Sequence, residues 1–255
     1  MQSSVELFGV EINTVSFDEA VQTVLAWIAD EAHACRYLIT PNINHLVMYQ
    51  DNQRFREAYA DASLVLPDGR YVILLSRMLG CPLAEPVNGS DLVPAVLEAA
   101  KDCEKSVSIF LLGAMPGVAD RAAAKIVEEW PWIEIVGTYS PPLGFETDAE
   151  VQKKMLTLVN SRSPEILILG ISPPKQEIWM LNNADGLNAR VAICAGATID
   201  FLAGEKSRAP SWMQRAGLEW VYRTMTEPRR LIPRYFGDGI AMLKLLLVEL
   251  RKKAD

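Results

Sequence analysis

Glu165-Ile-Leu-Ile-Leu-Gly170 is followed almost at once by Ser172-Pro-Pro-Lys-Gln-Glu177. The first run is apolar without alternation, so a strand made of it has both faces buried, as in a parallel sheet covered by helices. The second is a polar loop that leads into a helix through Asn182. Working outward, the same alternation of strand and helix fills the first four fifths of the chain. Leu7-Phe-Gly-Val10, Arg36-Tyr-Leu-Ile-Thr40, Leu64-Val-Leu-Pro67, Val107 to Leu112, Glu134 to Thr138 and Arg190 to Ala195 read as strands. Helices are predicted from Ser16 to about Ala29, Asn52 to Ala60, Tyr71 to Leu79, Ser90 to Lys101, Val118 to Glu129 and Thr147 to Ser161. Ser16-Phe-Asp-Glu19 and Thr147-Asp-Ala-Glu150 have the spacing of capping boxes, and Ser90 or Asp91 falls where a cap is wanted. Alternating elements of this kind predict an α/β fold with a mainly parallel sheet flanked by helices.

That pattern weakens after Gly204, where Trp, Arg and Pro become frequent, which divides the chain into a core of residues 1–203 and a C-terminal appendage of residues 204–255. Charge divides at the same place. The appendage has 11 Lys and Arg against 6 Asp and Glu, while the whole chain of 255 residues carries a net charge of −7. A basic tail on an acidic body is suited to an anionic partner, a phospholipid surface or a pyrophosphate, and the acidic body disfavours a long nucleic acid. Charges of this kind also form solvated helix faces or pair with an acidic core. Arg208, Arg215, Arg223, Arg229, Arg230 and Arg234 are interleaved with Trp212, Trp220, Tyr222, Tyr235 and Phe236, and Leu243 to Leu250 adds an apolar helical stretch. Arg grips phosphate and Trp or Tyr favours the headgroup boundary, which predicts an interfacial segment, with core packing or an oligomer interface as the alternative.

No apolar run approaches the ~20 residues that span a bilayer, and the first residues lack the pattern of a secretory signal. The expectation is a cytoplasmic, peripheral protein. Cys35, Cys81, Cys103 and Cys194 show no paired spacing and read as buried free thiols.

Chemistry is expected where strands end. In a parallel sheet, ligands bind beyond the carboxyl ends of the strands, and Thr40, Asn42, Asp68, Gly113, Gln176 and Asp200 all follow strand-like runs. Asp68 is the candidate general base, although Asp68-Gly69 also has the form of an ordinary turn that caps the next helix. Gly113-Ala-Met-Pro-Gly117 is either a phosphate-cradling turn at a helix start or a plain strand-to-helix turn. Lys175 and Gln176 offer a charge and an amide for a diphosphate or a sugar hydroxyl, or simply the first turn of a helix. His33 and His45, the only histidines, fit no covalent-catalysis pattern and read as surface or hydrogen-bonded structural residues. Metal-ligand spacing is absent, so a leaving group needs Arg, Lys or helix-end amides.

Several short motifs fall in order along the chain: Thr40-Pro-Asn42, Pro67-Asp-Gly69, Gly89-Ser-Asp91, Leu112-Gly113, Pro174-Lys-Gln-Glu177, Phe201-Leu-Ala-Gly204, Arg208-Ala-Pro210, Gly217-Leu-Glu-Trp220 and Glu227-Pro-Arg-Arg230. Together they resemble the WecG/TagA/CpsF glycosyltransferases, from about residue 5 to residue 236. The resemblance implies a Rossmann-like core with an appendage that docks on the membrane and completes the site. It also implies an inverting, metal-independent transfer of a sugar from a UDP donor to a polyprenyl-diphosphate-linked saccharide, for teichoic acid, common antigen or exopolysaccharide. No cofactor is expected, and a homo-oligomer is possible. In that resemblance Asp68 is the base with Thr40 and Asn42 beside it, Gln176 meets donor or acceptor, Asp200 the nucleoside, and Arg223, Arg229 and Arg230 the diphosphate. Gly113, Tyr139, Lys175 and Arg208 complete the substrate-binding set. Two departures stand out: Pro86, where relatives often carry Arg, and the loop Tyr139 to Phe145. The donor stays open among UDP-N-acetylmannosamine, its uronic acid and UDP-glucose. The rivals are a non-catalytic nucleotide-binding module and an NAD-dependent oxidoreductase, the latter without a dinucleotide fingerprint.

Overall fold

The computed structural model describes residues 3–30, 35–103 and 105–254; His33 lies outside them. The chain opens with an antiparallel hairpin of β1 (Ser4–Leu7) and β2 (Val10–Asn13). Phe8 and Gly9 between them have φ of 53° and 82°, the left-handed pair that a two-residue hairpin turn demands. The single strand expected at Leu7 to Val10 is therefore a turn with a strand on each side.

The α/β unit follows. It runs α1 (Phe17–Ala29), β3 (Arg36–Ile39), α2 (Ile43–Asp51), α3 (Gln53–Asp61), β4 (Leu64–Val65), α4 (Arg70–Met78), α5 (Gly89–Ala99), β5 (Val107–Gly113), α6 (Val118–Glu129), β6 (Ile133–Tyr139), α7 (Ala149–Arg162), β7 (Ile166–Gly170), α8 (Lys175–Asn183), β8 (Val191–Cys194) and α9 (Thr198–Leu202). Strands β3 to β8 make one sheet in the order β4-β3-β8-β7-β5-β6, with every neighbouring pair parallel. Ile166, Leu167, Ile168 and Leu169 are wholly buried, and their side chains alternate between the two apolar layers on either face of the sheet. Cys35 and Cys194 are buried free thiols as expected, whereas Cys81 and Cys103, in the connections after α4 and α5, are only half-buried.

Caps explain where helices begin. Ser16 and Glu19 form the anticipated capping box on α1. On α7 the cap is Asp148, not Thr147: its carboxylate accepts from the Glu150 and Val151 amides, while the Thr147 hydroxyl donates to the Gly144 carbonyl. Helix α2 is an addition to the expected elements. Its polar residues blur the helical period, but Asn42 caps it by accepting from the amides of Asn44 and His45.

Beyond α9 the chain forms α10 (Ser211–Arg215), α11 (Glu219–Thr226) and the long α12 (Pro228–Ala254). A short strap, residues 205–208, ties this appendage to the core by ion pairs: Glu205 with Arg121, Lys206 with Asp200, and Arg208 with Asp91. Lys206 also reaches Glu227 within the appendage. Leu231 and Met242 are buried, so α12 packs one side inward, and Asn44 of α2 donates to Asp238 of α12 at 3.1 Å. Its other side is exposed and apolar, with Ile232, Phe236, Ile240, Leu243 and Leu247 spaced by three or four residues. Among the described residues, no helix is long and apolar enough to cross a membrane.

Candidate active site

The carboxyl ends of the strands open into a cleft of about 1140 Å³ that the appendage covers on one side. This is larger than the ~300–1,000 Å³ typical of a site for one small molecule. Thr40, Asn42, Asp68, Gly113, Gln176 and Asp200 all line it, so the sheet brings the expected strand-end residues into one space.

Asp68 lies half-buried on the cleft floor, just past β4. Its amide donates to the Pro41 carbonyl at 2.9 Å, which carries the β3–β4 pairing one step beyond the strands. Asn42, while capping α2 with its carbonyl oxygen, turns its amide nitrogen to the Asp68 carboxylate at 3.4 Å. The capping alternative for Asp68 is not realised: Gly69 is the residue before α4, and no side chain caps that helix. Burial pushes the Asp68 carboxyl up to about 7, with Glu219 adding to the rise; the Asn42 hydrogen bond and Arg223 oppose it. A carboxylate with such a value is matched to proton transfer near neutral pH.

Gly113 sits where β5 and β7 come closest. Its φ is 127°, and a Cβ there would lie 2.6 Å from the Gly170 carbonyl, so only glycine fits. The turn from Gly113 to Gly117 brings the N-terminus of α6 to the cleft, with Ala114 also in the left-handed region. Such an end attracts anions.

Gln176 is buried; its amide nitrogen donates to Glu177 at 2.7 Å, and its oxygen accepts from the Gly196 amide at 3.4 Å. Glu177 is fully buried and burial raises its carboxyl to about 7; among the described residues its second oxygen meets no hydrogen-bond donor. Lys175 lines the cleft but pairs with Glu146 at 2.6 Å. The Asp200 carboxylate is held by Lys206 at 3.3 Å.

Three expected contacts lie elsewhere. Tyr139 ends β6, the far edge strand, and its ring packs under Lys154 at 5.1 Å instead of facing the cleft; Pro141, Pro142 and Phe145 of the following loop line it. Arg229 is exposed off the cleft, whereas Arg234 and the also exposed Arg230, which pairs with Glu227 at 2.6 Å, line it. Arg208 is not a lining residue either: its two terminal nitrogens hold Asp91, with Nη2 to Oδ2 at 3.2 Å.

The appendage supplies the opposite wall. Arg215, Arg223, Arg230 and Arg234 face the cleft, together with Glu219 and Trp220, whose indole donates to the Tyr71 hydroxyl at 2.9 Å. His45 lines the cleft as well, with Nδ1 2.7 Å from the Tyr59 hydroxyl; burial and then Arg234 lower it to about 3, so it stays neutral. It is the hydrogen-bonded structural residue expected. Asn88, Asp91, Glu177 and Glu219 were not picked out as site residues. All but Asn88 fall inside the quoted motifs, and that membership was the available signal.

Fold and cleft together have the form of a doubly wound α/β transferase site, with a carboxylate on the floor and arginines on the wall. The chain belongs to the glycosyl transferase WecG/TagA/CpsF family, whose model matches residues 5–255. It is similar to an N-acetylglucosaminyldiphosphoundecaprenol N-acetyl-beta-D-mannosaminyltransferase of Bacillus spizizenii, 29% identical over 204 residues that cover 78% of this chain and 76% of the relative. A protein of the same name from Staphylococcus aureus strain MRSA252 is 24% identical over 229 residues, covering 90% and 87%. The chain is thus a glycosyltransferase, and the non-catalytic module and the oxidoreductase give way.

Proposed function

We propose that this chain moves a sugar from a UDP donor onto a polyprenyl-diphosphate-linked saccharide, working as a peripheral protein on the inner face of the plasma membrane. The names of the relatives make N-acetylmannosamine and N-acetylglucosaminyl-diphosphoprenol the first pair to try. The observation that carries the reading is Asp68: a carboxylate raised to about 7 on the floor of a cleft walled by arginines.

In the proposed step, Asp68 takes the proton of the acceptor hydroxyl as its oxygen attacks the anomeric carbon, and the bond from that carbon to the UDP oxygen breaks with its electrons. One displacement inverts the anomeric centre. The departing diphosphate gains a negative charge that Arg223, Arg230 and the amides at the start of α6 are placed to offset. Thr40 and Gln176 flank the reacting groups, and Asp200 is proposed to meet the nucleoside. These cations are proposed to act without a resident metal ion. Activity that survives EDTA is the expected result, and activity restored only by a divalent ion would overturn it.

Membrane contact is proposed for the exposed stripe of α12, where Phe236 and Leu243 stand beside the basic residues of the same helix. Incubation with UDP-N-acetylmannosamine and a short-chain acceptor, followed by mass spectrometry, tests the reaction; UDP-glucose and the uronic acid donor run in parallel. Product from none of the three donors would overturn the substrate assignment.

A further inference from the structure

Asp68 is oriented by its own backbone as much as by Asn42, and that backbone is held from an unexpected direction. The amide of Gly69 donates to Asn88 Oδ1 at 2.8 Å, which fixes the plane of the Asp68–Gly69 peptide and so the ψ angle of Asp68. Asn88 is in turn oriented by Asp91, whose Oδ2 accepts from Asn88 Nδ2 at 2.9 Å. An asparagine amide presents its oxygen or its nitrogen according to its partners. With a carboxylate on its nitrogen side, Asn88 can only offer oxygen to Gly69. The last link is Arg208, whose two terminal nitrogens take both oxygens of Asp91, while Nη1 also reaches the Ser90 carbonyl at 3.4 Å. Arg208 belongs to the strap that ties the appendage to the core.

We infer that Arg208, Asp91 and Asn88 are positioning residues: a relay of hydrogen bonds that couples the seating of the appendage to the orientation of the Asp68 carboxylate. This rests on the reading of Asp68 as the base. Its physical content is that Gly69, with φ 89° and ψ 154°, occupies a region open essentially to glycine alone, where among the described residues its amide meets no main-chain acceptor. Asn88 supplies the missing partner. Removing any link loosens that peptide on the C-terminal side of Asp68, leaving the Pro41 bond on its N-terminal side as the main-chain hold on the backbone from which the carboxylate projects. Three functions meet in one chain of contacts: the strap is held, the start of α5 is ordered, and the base is aimed.

The test uses the full-length chain with UDP-N-acetylmannosamine and a short prenyl acceptor, taking Asp68→Asn as reference. Asn88→Ala is expected to lower kcat by about tenfold to a hundredfold, the scale of a small misplacement of a catalytic group, with both KM values within about twofold. Arg208→Gln lowers kcat less, Arg208→Lys recovers part of that loss, and the double variant Asn88→Ala/Arg208→Gln is no slower than Asn88→Ala alone because the two act through one path. Unchanged kcat in Asn88→Ala while Asp68→Asn is inactive would overturn the relay, as would a raised KM with kcat intact, which would make Asn88 a substrate contact. Should Asp68→Asn stay active, the base assignment fails instead. The relay is then judged by hydrogen exchange of the Gly69 amide. That exchange is expected to quicken in both Asn88→Ala and Arg208→Gln, and unaltered exchange in Arg208→Gln would break the link to the strap.

Discussion

The sheet and the appendage obey opposite rules of exposure. Ile166 to Leu169 of β7 touch no solvent, whereas on α12 Phe236 is 71% exposed and Leu243 58%. The strands form the floor of the cleft and the helices of the appendage its wall, yet the floor is buried on both faces, whereas the wall is attached by one side of α12 and by the ion pairs of the strap. Stability and substrate handling are therefore separable along the chain, and each half can be altered with a different consequence.

The sharpest break comes on the floor. Asp68→Asn should reduce kcat by about 10²- to 10⁴-fold while calorimetry with UDP finds its affinity little changed. In the unaltered protein kcat should climb with pH toward a plateau above about 7, since the proposed base must be deprotonated and the Asp68 carboxyl lies near there. Core packing comes next: Leu169→Ala should cost about 2–5 kcal/mol in denaturant unfolding, whereas Leu247→Ala on the exposed side of α12 should stay within about 0.5 kcal/mol yet weaken sedimentation with anionic vesicles. On the wall, Arg223→Ala should weaken UDP binding by about tenfold to a hundredfold with an unchanged melting temperature, the scale of one lost hydrogen bond from a charged group. Equal loss of stability from Arg223→Ala and Leu169→Ala would end the separation of floor and wall.

The smallest effect concerns Glu177. Burial raises its carboxyl from 4.5 to about 7, so between those values the folded chain holds a proton that the unfolded chain has released. Its contribution to stability is then fully present below about 4.5 and declines as pH rises toward 7. Glu177→Gln, which cannot ionise, should flatten the fall in melting temperature between pH 5 and 8. An unaltered slope would place the titration elsewhere.

What could be read from the chain alone follows from range. Apolar runs such as Ile166 to Leu169 report burial directly, and residues that follow such runs land at one edge of the sheet, which is why Thr40, Asp68, Gly113 and Gln176 were found together. Asn42 also capped an unanticipated helix, because α2 has polar residues on too many sides for its period to show. Tyr139 lies off the cleft because its ring packs under Lys154 of α7, a contact that a strand end alone does not reveal. For the arginines, the appendage was legible as basic, but which of Arg229 and Arg230 borders the cleft depends on the phase of a helix whose docking is tertiary.

Gly113 holds a consequence for how such a molecule can vary. With Gly170 pressed against it, neither neighbour can compensate for a new side chain by yielding, because what stands in the way is main chain. A library randomised at codon 113 and selected for transfer should return glycine and nothing else, while the outward positions of the last helix drift freely among greasy residues. Divergence in this lineage is thereby channelled to the rim, with the junction of β5 and β7 left as its least mutable point.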